Sequence, residues 1–255
     1  MGVRVTVMSQ LMFENDFKDG AHPVAEIADA VERLSVQPRL RQWTSLSACV
    51  LDAVWSVGSH YDRVVVPLVH RVLEPAAAGP LVAEAVPSAD SHPLPRLLTR
   101  FQDGEALAAA ANNRQRTSTR NGVTKAEAAV GFARTLVGHG VLGLEDLPRL
   151  LADQESWSGV DRALSRLPGE GQYGVRRSYF WMLCGVEGLI KPDRMVMRWL
   201  APFGVRDPIT AWQVLAEVAS LLSDRVGSGG PLVTPWQIDH AIWLATRQSN
   251  VGPSN

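Results

Sequence analysis

The residues best suited to chemistry in this chain lie between positions 160 and 200. The run Leu167-Pro-Gly-Glu-Gly-Gln-Tyr-Gly174 joins two stretches of helical pattern, one ending at Leu167 and one running on from Val175. Gly169 and Gly171 let the backbone turn sharply and bring amide N–H groups close to an anion, because no Cβ stands in the way. At the start of a helix such amides, helped by the helix dipole, form a phosphate site. The plainer reading is a glycine-rich turn between two packed helices. Downstream, Pro192-Asp193-Arg-Met-Val-Met-Arg198 places a carboxylate where a helix opens, the ordinary position of an N-cap.

The spacing Gly169-x-Gly171-x-x-Gly174 also matches the dinucleotide fingerprint. That motif works only after a β-strand, with an acidic residue about 20 positions on for the ribose. The residues upstream, Val160-Asp-Arg-Ala-Leu-Ser-Arg-Leu167, are helical in pattern and contain no β-branched run. No nicotinamide cofactor is expected.

Charge points to a local site for a polyanion. Lys and Arg number 25 against 26 Asp and Glu, which excludes a basic field over the whole surface. Arg114-Gln-Arg-Thr-Ser-Thr-Arg120, by contrast, carries three arginines and no acid. Such an excess suits phosphate neutralisation, the alternative being a solvated arginine face. Cys49 and Cys184 stand 184 − 49 = 135 positions apart, which excludes a zinc or iron–sulfur site built from neighbouring thiolates. The start of the chain is not patterned as a secretory signal, and no run approaches 18 apolar residues. A cytoplasmic protein with no membrane contact is expected.

Helical periodicity supplies the elements that must position these residues. Leu46, Cys49, Val50, Ala53, Val54 and Val57 form one apolar stripe, and Val65, Leu68, Val69 and Val72 repeat it. Thr124-Lys-Ala-Glu127 and Thr234-Pro-Trp-Gln237 read as capping boxes. Asp207-Pro208 opens a helix carrying Ile209, Trp212, Leu215, Ala219 and Leu222. The five prolines from Pro75 to Pro95 predict a long loop, and Gly227-Ser-Gly-Gly230 a second break. Strand signal is confined to the alternation of Val3, Val5 and Val7. The fold class is therefore all-α, with roughly nine or ten helices. The eight tryptophans read as core anchors. Asp239 and His240 point about 100° apart on a helix and read as a cap or surface pair.

The hairpin with its downstream aspartate resembles the helix–hairpin–helix (HhH-GPD) DNA glycosylase superfamily, which includes endonuclease III-like, adenine-mismatch and alkylpurine glycosylases. There a Leu-Pro-Gly-x-Gly hairpin precedes, by about 20 residues, a catalytic aspartate in the pattern Asp-x-His-Val-x-Arg. Here Asp193 follows Tyr173 by 20 residues, and Met195 replaces the histidine. Fainter likenesses extend the resemblance over about 40 to 250. Leu46 to Val72 is similar to the helix pair that inserts a wedge into the duplex. Lys125-Ala-Glu127 resembles the start of a Lys-Ala-Glu helix, and Asp239 to Leu244 the closing helix.

The resemblance implies a two-lobed helical glycosylase core at 41–255, with the hairpin at about 160–186 and the aspartate helix at about 193–201. Residues 1–40 would be an N-terminal extension packing on that core. It implies base flipping from double-stranded DNA and hydrolysis of the N-glycosidic bond, with Asp193 stabilising the positive charge that develops on the sugar. Tyr173 occupies the position of the lysine that nicks the strand in bifunctional members. A phenol cannot form that imine, so a monofunctional enzyme is implied. Leu167, Gly169, Gly171, Gln172, Arg176 and Arg194 would contact DNA near the hairpin, beside Arg177, with Arg114, Arg116, Arg120 and Lys125 further away. Tyr173 would wall the base pocket, with His60, Tyr61, Ser59 and Gly58 behind it. The cysteine cluster of endonuclease III-like members is absent, so no cofactor is implied, though a structural monovalent ion at the hairpin is compatible with it. A monomer is implied.

Two departures stand at the hairpin. Glu170 at its tip would face a phosphate unfavourably, and Gly174-Val175 replaces the usual Thr-Ala. The small Gly58 and Ser59 suggest a roomy cleft, and with it a bulky substrate such as a hypermodified cytosine of phage DNA, in a defence role; a repair lesion is the other option. A non-catalytic helix–hairpin–helix DNA-binding scaffold and a helical protein–protein module are the competing classes.

Overall fold

Local start signals decide where this chain becomes helical. In the computed structural model, which describes residues 22–85, 88–171, 173–227 and 230–250 (backbone only for 248–250), they are satisfied as hydrogen bonds. Thr124 and Glu127 close a complete capping box. Thr234 N–H donates to Gln237 Oε1 at 2.9 Å while Gln237 N–H donates to Thr234 Oγ1 at 3.3 Å. Asp207 Oδ1 accepts from the amides of Ile209 and Thr210. Each pairing satisfies amides that a helix start would leave without partners.

The first six helices are α1 (Val24–Glu32), α2 (Leu46–Ser56), α3 (Val66–Leu73), α4 (Leu94–Arg100), α5 (Gly104–Ala111) and α6 (Lys125–Gly138). There follow α7 (Leu147–Ala152), α8 (Gln154–Ser165), α9 (Val175–Leu183), α10 (Arg194–Leu200), α11 (Pro208–Val226) and α12 (Pro235–Asn250). The fold is all-α. Its twelve helices among the described residues exceed the nine or ten expected, because pieces as short as α4 and α7 carry little periodicity. Val3, Val5 and Val7 lie outside the described residues. The proline-rich run is not wholly a loop. It contains β2 (Val82–Ala83), paired antiparallel with β1 (Gln42–Trp43), and α4 begins within it. Asp90 pins that run by accepting the amides of Leu46, His92 and Leu144.

The chain forms two compact units, one spanning Arg41–Cys184 and one made of the described residues up to Leu40 together with those from Gly185 onward. In the first, α2 is central and packs against α3, α6 and α9. Its residues Leu46 to Trp55 are all buried, not only the predicted stripe. Small residues such as Ser47, Ala48 and Ala53 let neighbours approach on every side, which is how a helix comes to be buried all round. The second unit packs α1, α10, α11 and α12 around a core that includes Ile27, Val31, Val196, Leu215, Ile238 and Ile242. No helix among the described residues is long and apolar enough to cross a membrane.

Candidate functional site

The hairpin forms as a helix–turn–helix between α8 and α9. Gly169 and Gly171 both adopt φ +88°, in the left-handed region where only glycine is unstrained. A Cβ at Gly169 would also stand 2.7 Å from the Thr117 side chain. Glycine there lets the loop between α5 and α6 press against the turn. Leu167 is half-buried, Gly171 and Tyr173 are exposed, and Gln172 lies outside the described residues.

Glu170 corrects the expectation that it meets phosphate at the tip. It is buried, and its Oε1 accepts the Arg177 amide in the first turn of α9 at 3.1 Å. Burial pushes its carboxyl up to about 7, against the pull of Arg177 and Arg176. The chain's own acid therefore occupies an amide that an external anion would otherwise take. Arg176, expected at the DNA surface, is 3% exposed, and its Nε and Nη1 have no hydrogen-bond partner among the described residues. Burial lowers its proton affinity, and the neighbouring Glu170 offsets that. Arg177 Nε lies 3.0 Å from Asp161 Oδ1, an ion pair not aligned as a hydrogen bond. Asp161 also accepts Trp181 Nε1 at 2.7 Å. Burial raises the Asp161 carboxyl, and Arg177 opposes the rise. The inner side of the hairpin is thus a buried charge network of two acids and two arginines.

The arginine loop beside the hairpin is tied by Thr117 N–H to Val123 O and by Arg116 Nη1 to Gly122 O, both at 2.9 Å. Arg116 and Arg120 are exposed, as is Arg114, whose guanidinium pairs with Glu105. Lys125 behaves differently from the phosphate contact expected of it. It is buried, and its Nζ donates to Trp55 O, Val57 O, Ser59 Oγ and Gln115 Oε1 at 2.8–3.1 Å. An ammonium at the C-terminal end of α2 satisfies carbonyls that the helix leaves open and complements its dipole.

The pocket candidates separate in the same region. Gly58 has φ +74°, and a Cβ built on it meets nothing within 4 Å among the described residues. Ser59 is held by Lys125 and donates to Gln115 Oε1 at 2.9 Å. His60 is exposed, and its Nδ1 accepts the Arg63 amide at 3.4 Å, capping the π-helical turn Tyr61–Val65. Tyr61 donates its hydroxyl to the buried Asp52 at 3.0 Å. Burial and that carboxylate hold its proton well above the usual tyrosine range. Asp52, which also accepts Trp43 Nε1 at 2.8 Å, carried no signal in the sequence beyond an acid inside an apolar stripe.

In the other unit, the turn Lys191-Pro192-Asp193 leads into α10. Asp193 N–H donates to Lys191 O at 2.6 Å, and its Oδ1 accepts the amides of Met195 at 2.8 Å and Val196 at 3.3 Å. Asp193 is half-buried and Arg194 exposed. Asp239 is a functional candidate that sequence reasoning missed. It is buried at 6% exposure, not a cap or surface residue, and its Oδ1 accepts the Lys191 amide at 2.8 Å. Burial and the nearby Asp193 carboxylate raise its proton affinity, and Lys191 opposes them. One signal was available, since Asp239, Ile242 and Thr246 fall at i, i+3 and i+7, an acid in the buried register of α12. His240 diverges from it as helix geometry requires. Its ring stacks between Trp236 and Trp243, at 5.1 and 5.8 Å between centroids, with Arg39 and Arg247 over the outer tryptophans.

No group of three or more His, Cys, Asp or Glu placed to hold a metal ion occurs among the described residues. These observations define a class: an all-α protein with a glycine-turn helical hairpin in one unit and an N-cap aspartate in the other. The chain belongs to the family described as Domain of unknown function (DUF8548), whose model matches residues 22–247. No curated protein and no solved structure matches it.

Proposed function

We propose that this protein is a monofunctional DNA glycosylase with the two-lobed HhH-GPD architecture. The observation that carries the reading is a conjunction. A helix, a tight turn at Gly169 and Gly171 and a second helix are followed, 20 residues beyond Tyr173, by Asp193 as the N-cap of α10. In this reading the exposed turn and the Arg114–Arg120 loop hold duplex DNA, and the exposed Tyr173 offers a ring face to the flipped nucleotide. The bond from C1′ to the base nitrogen breaks, and the base leaves with the bonding electrons. Asp193 stabilises the cationic sugar, water adds its oxygen at C1′ and one of its protons ends on the departed base nitrogen, giving an abasic site and the free base. Tyr173 in place of a lysine leaves the strand intact. Lys125 and Arg176 take no part in DNA contact, since their cationic groups are turned inward. The specific version of this reading takes a bulky modified base as substrate, a hypermodified cytosine of phage DNA in a defence role, and rests on the small side chains at Gly58 and Ser59.

A non-catalytic DNA-binding scaffold is the second reading. The exposed arginine loop packed on the hairpin favours it, because that surface binds phosphate without any chemistry. Mass spectrometry of released bases, comparing wild type with Asp193→Asn, separates the two. The panel comprises uracil, mismatched thymine, alkylated purines, oxidised guanine and hypermodified phage DNA. Release that vanishes in the variant supports the glycosylase; salt-sensitive binding with no base released from any substrate selects the scaffold.

A further inference from the structure

We propose that Asp239 is a positioning residue for Asp193: its buried carboxyl, anchored on α12, holds the turn that presents Asp193 and sets the charge of that centre. The inference rests on the reading of Asp193 as the reacting carboxylate. Three features of the second unit carry it. The Asp239 Oδ1 accepts the amide of Lys191, two residues before Asp193. The turn is closed on itself by Asp193 N–H to Lys191 O, so a hold on Lys191 is a hold on Asp193. Asp193 Oδ1 is in turn fixed by the first amides of α10, a helix that packs on α12.

The charged groups acting on Asp239 come from the turn, namely Asp193 and Lys191. The elements packed against α12 contribute apolar side chains to the core there: Val31 from α1, Val196 and Leu200 from α10, and Leu215 from α11. A carboxyl in such surroundings keeps its proton above the usual range, because burial and a like charge both penalise ionisation. As pH rises through the raised value, Asp239 ionises and a negative charge appears in the core of the unit. The native state binds this proton more tightly than the unfolded chain does. Its contribution to stability is therefore full in acid and is lost as pH rises.

The test compares the full-length wild type with Asp239→Asn and Asp239→Leu. Asparagine keeps the acceptor for Lys191 and removes the charge; leucine removes both. Hydrogen exchange of the Lys191 amide is expected to stay slow in the asparagine variant and to become fast in the leucine variant. Thermal unfolding of Asp239→Asn is expected to fall less than wild type between pH 6 and 9. Base release is expected to survive in Asp239→Asn, with activity extended to higher pH, and to fall about a hundredfold in Asp239→Leu through a displaced Asp193. Equal Lys191 exchange in all three proteins would overturn the proposal, as would an identical pH profile of unfolding in wild type and Asp239→Asn. If wild type releases no base, the glycosylase reading falls by itself, and the exchange and unfolding data still decide whether Asp239 holds the turn. Should Asp239→Leu fail to fold, the two pH profiles of Asp239→Asn decide it.

Discussion

In the unit spanning Arg41–Cys184, Glu170 accepts the amide of Arg177; in the other unit, Asp239 accepts the amide of Lys191. Both acids are buried at 8% exposure or less, and each holds a turn that leads into a helix. Their company differs. Glu170 lies near two guanidiniums, and Asp161 beside it is paired with one of them, so the hairpin's buried acids are matched by cations. Asp239 lies near Lys191 but also near Asp193, an acid that turns toward the start of α10. The same backbone contact thus serves a neutralised structural network in one place and an acid-rich turn in the other. In the glycosylase reading, the carboxylate that meets a cationic sugar is the one at this second turn.

The largest expected effect breaks the comparison at its reactive side. Asp193→Asn should lower base release by on the order of a hundredfold to a thousandfold, the scale seen when one transition-state electrostatic contact is removed. Asparagine is also a good N-cap, so unfolding should shift by well under about 1 kcal/mol. Undiminished base release from the folded variant would take Asp193 out of the chemistry.

On the structural side, Arg177→Ala removes the cation beside both Asp161 and Glu170. Stripping one member from a buried pair costs about 3 kcal/mol, read as a lower midpoint in urea. A shift below about 1 kcal/mol would show the network to be hydrated, as surface pairs are.

Glu170→Gln sharpens the contrast through pH. The native state holds the Glu170 proton up to about 7, above the unfolded value, so wild type loses stability as pH climbs from the ordinary glutamate range through about 7. Glutamine does not titrate. The variant should gain on wild type by about 2–3 kcal/mol between pH 5 and 8, measured by urea unfolding at each pH. Parallel pH profiles would mean that Glu170 is compensated at all pH values.

The smallest effect is at the surface. Arg116→Ala combined with Arg120→Ala removes one exposed loop hydrogen bond and should shift unfolding by under about 1 kcal/mol, while reducing the slope of log affinity for duplex DNA against log salt by about 2. An unchanged slope would remove the arginine loop from the interface.

What was legible in the sequence is local. Thr124 with Glu127, Thr234 with Gln237, and Asp193 and Asp207 with the amides that follow them are partners two or three residues apart. Such contacts form within one turn of chain, so spacing alone specifies them, and with them the all-α class and the hairpin's helix–turn–helix. The direction in which the charged side chains turn was not legible. Lys125 looked like a phosphate contact because it opens a helix near an arginine cluster; carbonyls 68 and 70 residues away claim it. Asp239 looked like a surface acid until an amide 48 residues away proved to be its partner. Glu170 faces inward because arginines on the next helix meet it there. Spacing along the chain sets the short-range hydrogen bonds, whereas burial and the field at each ionisable group depend on which distant segments pack around it, and only the tertiary structure decides that.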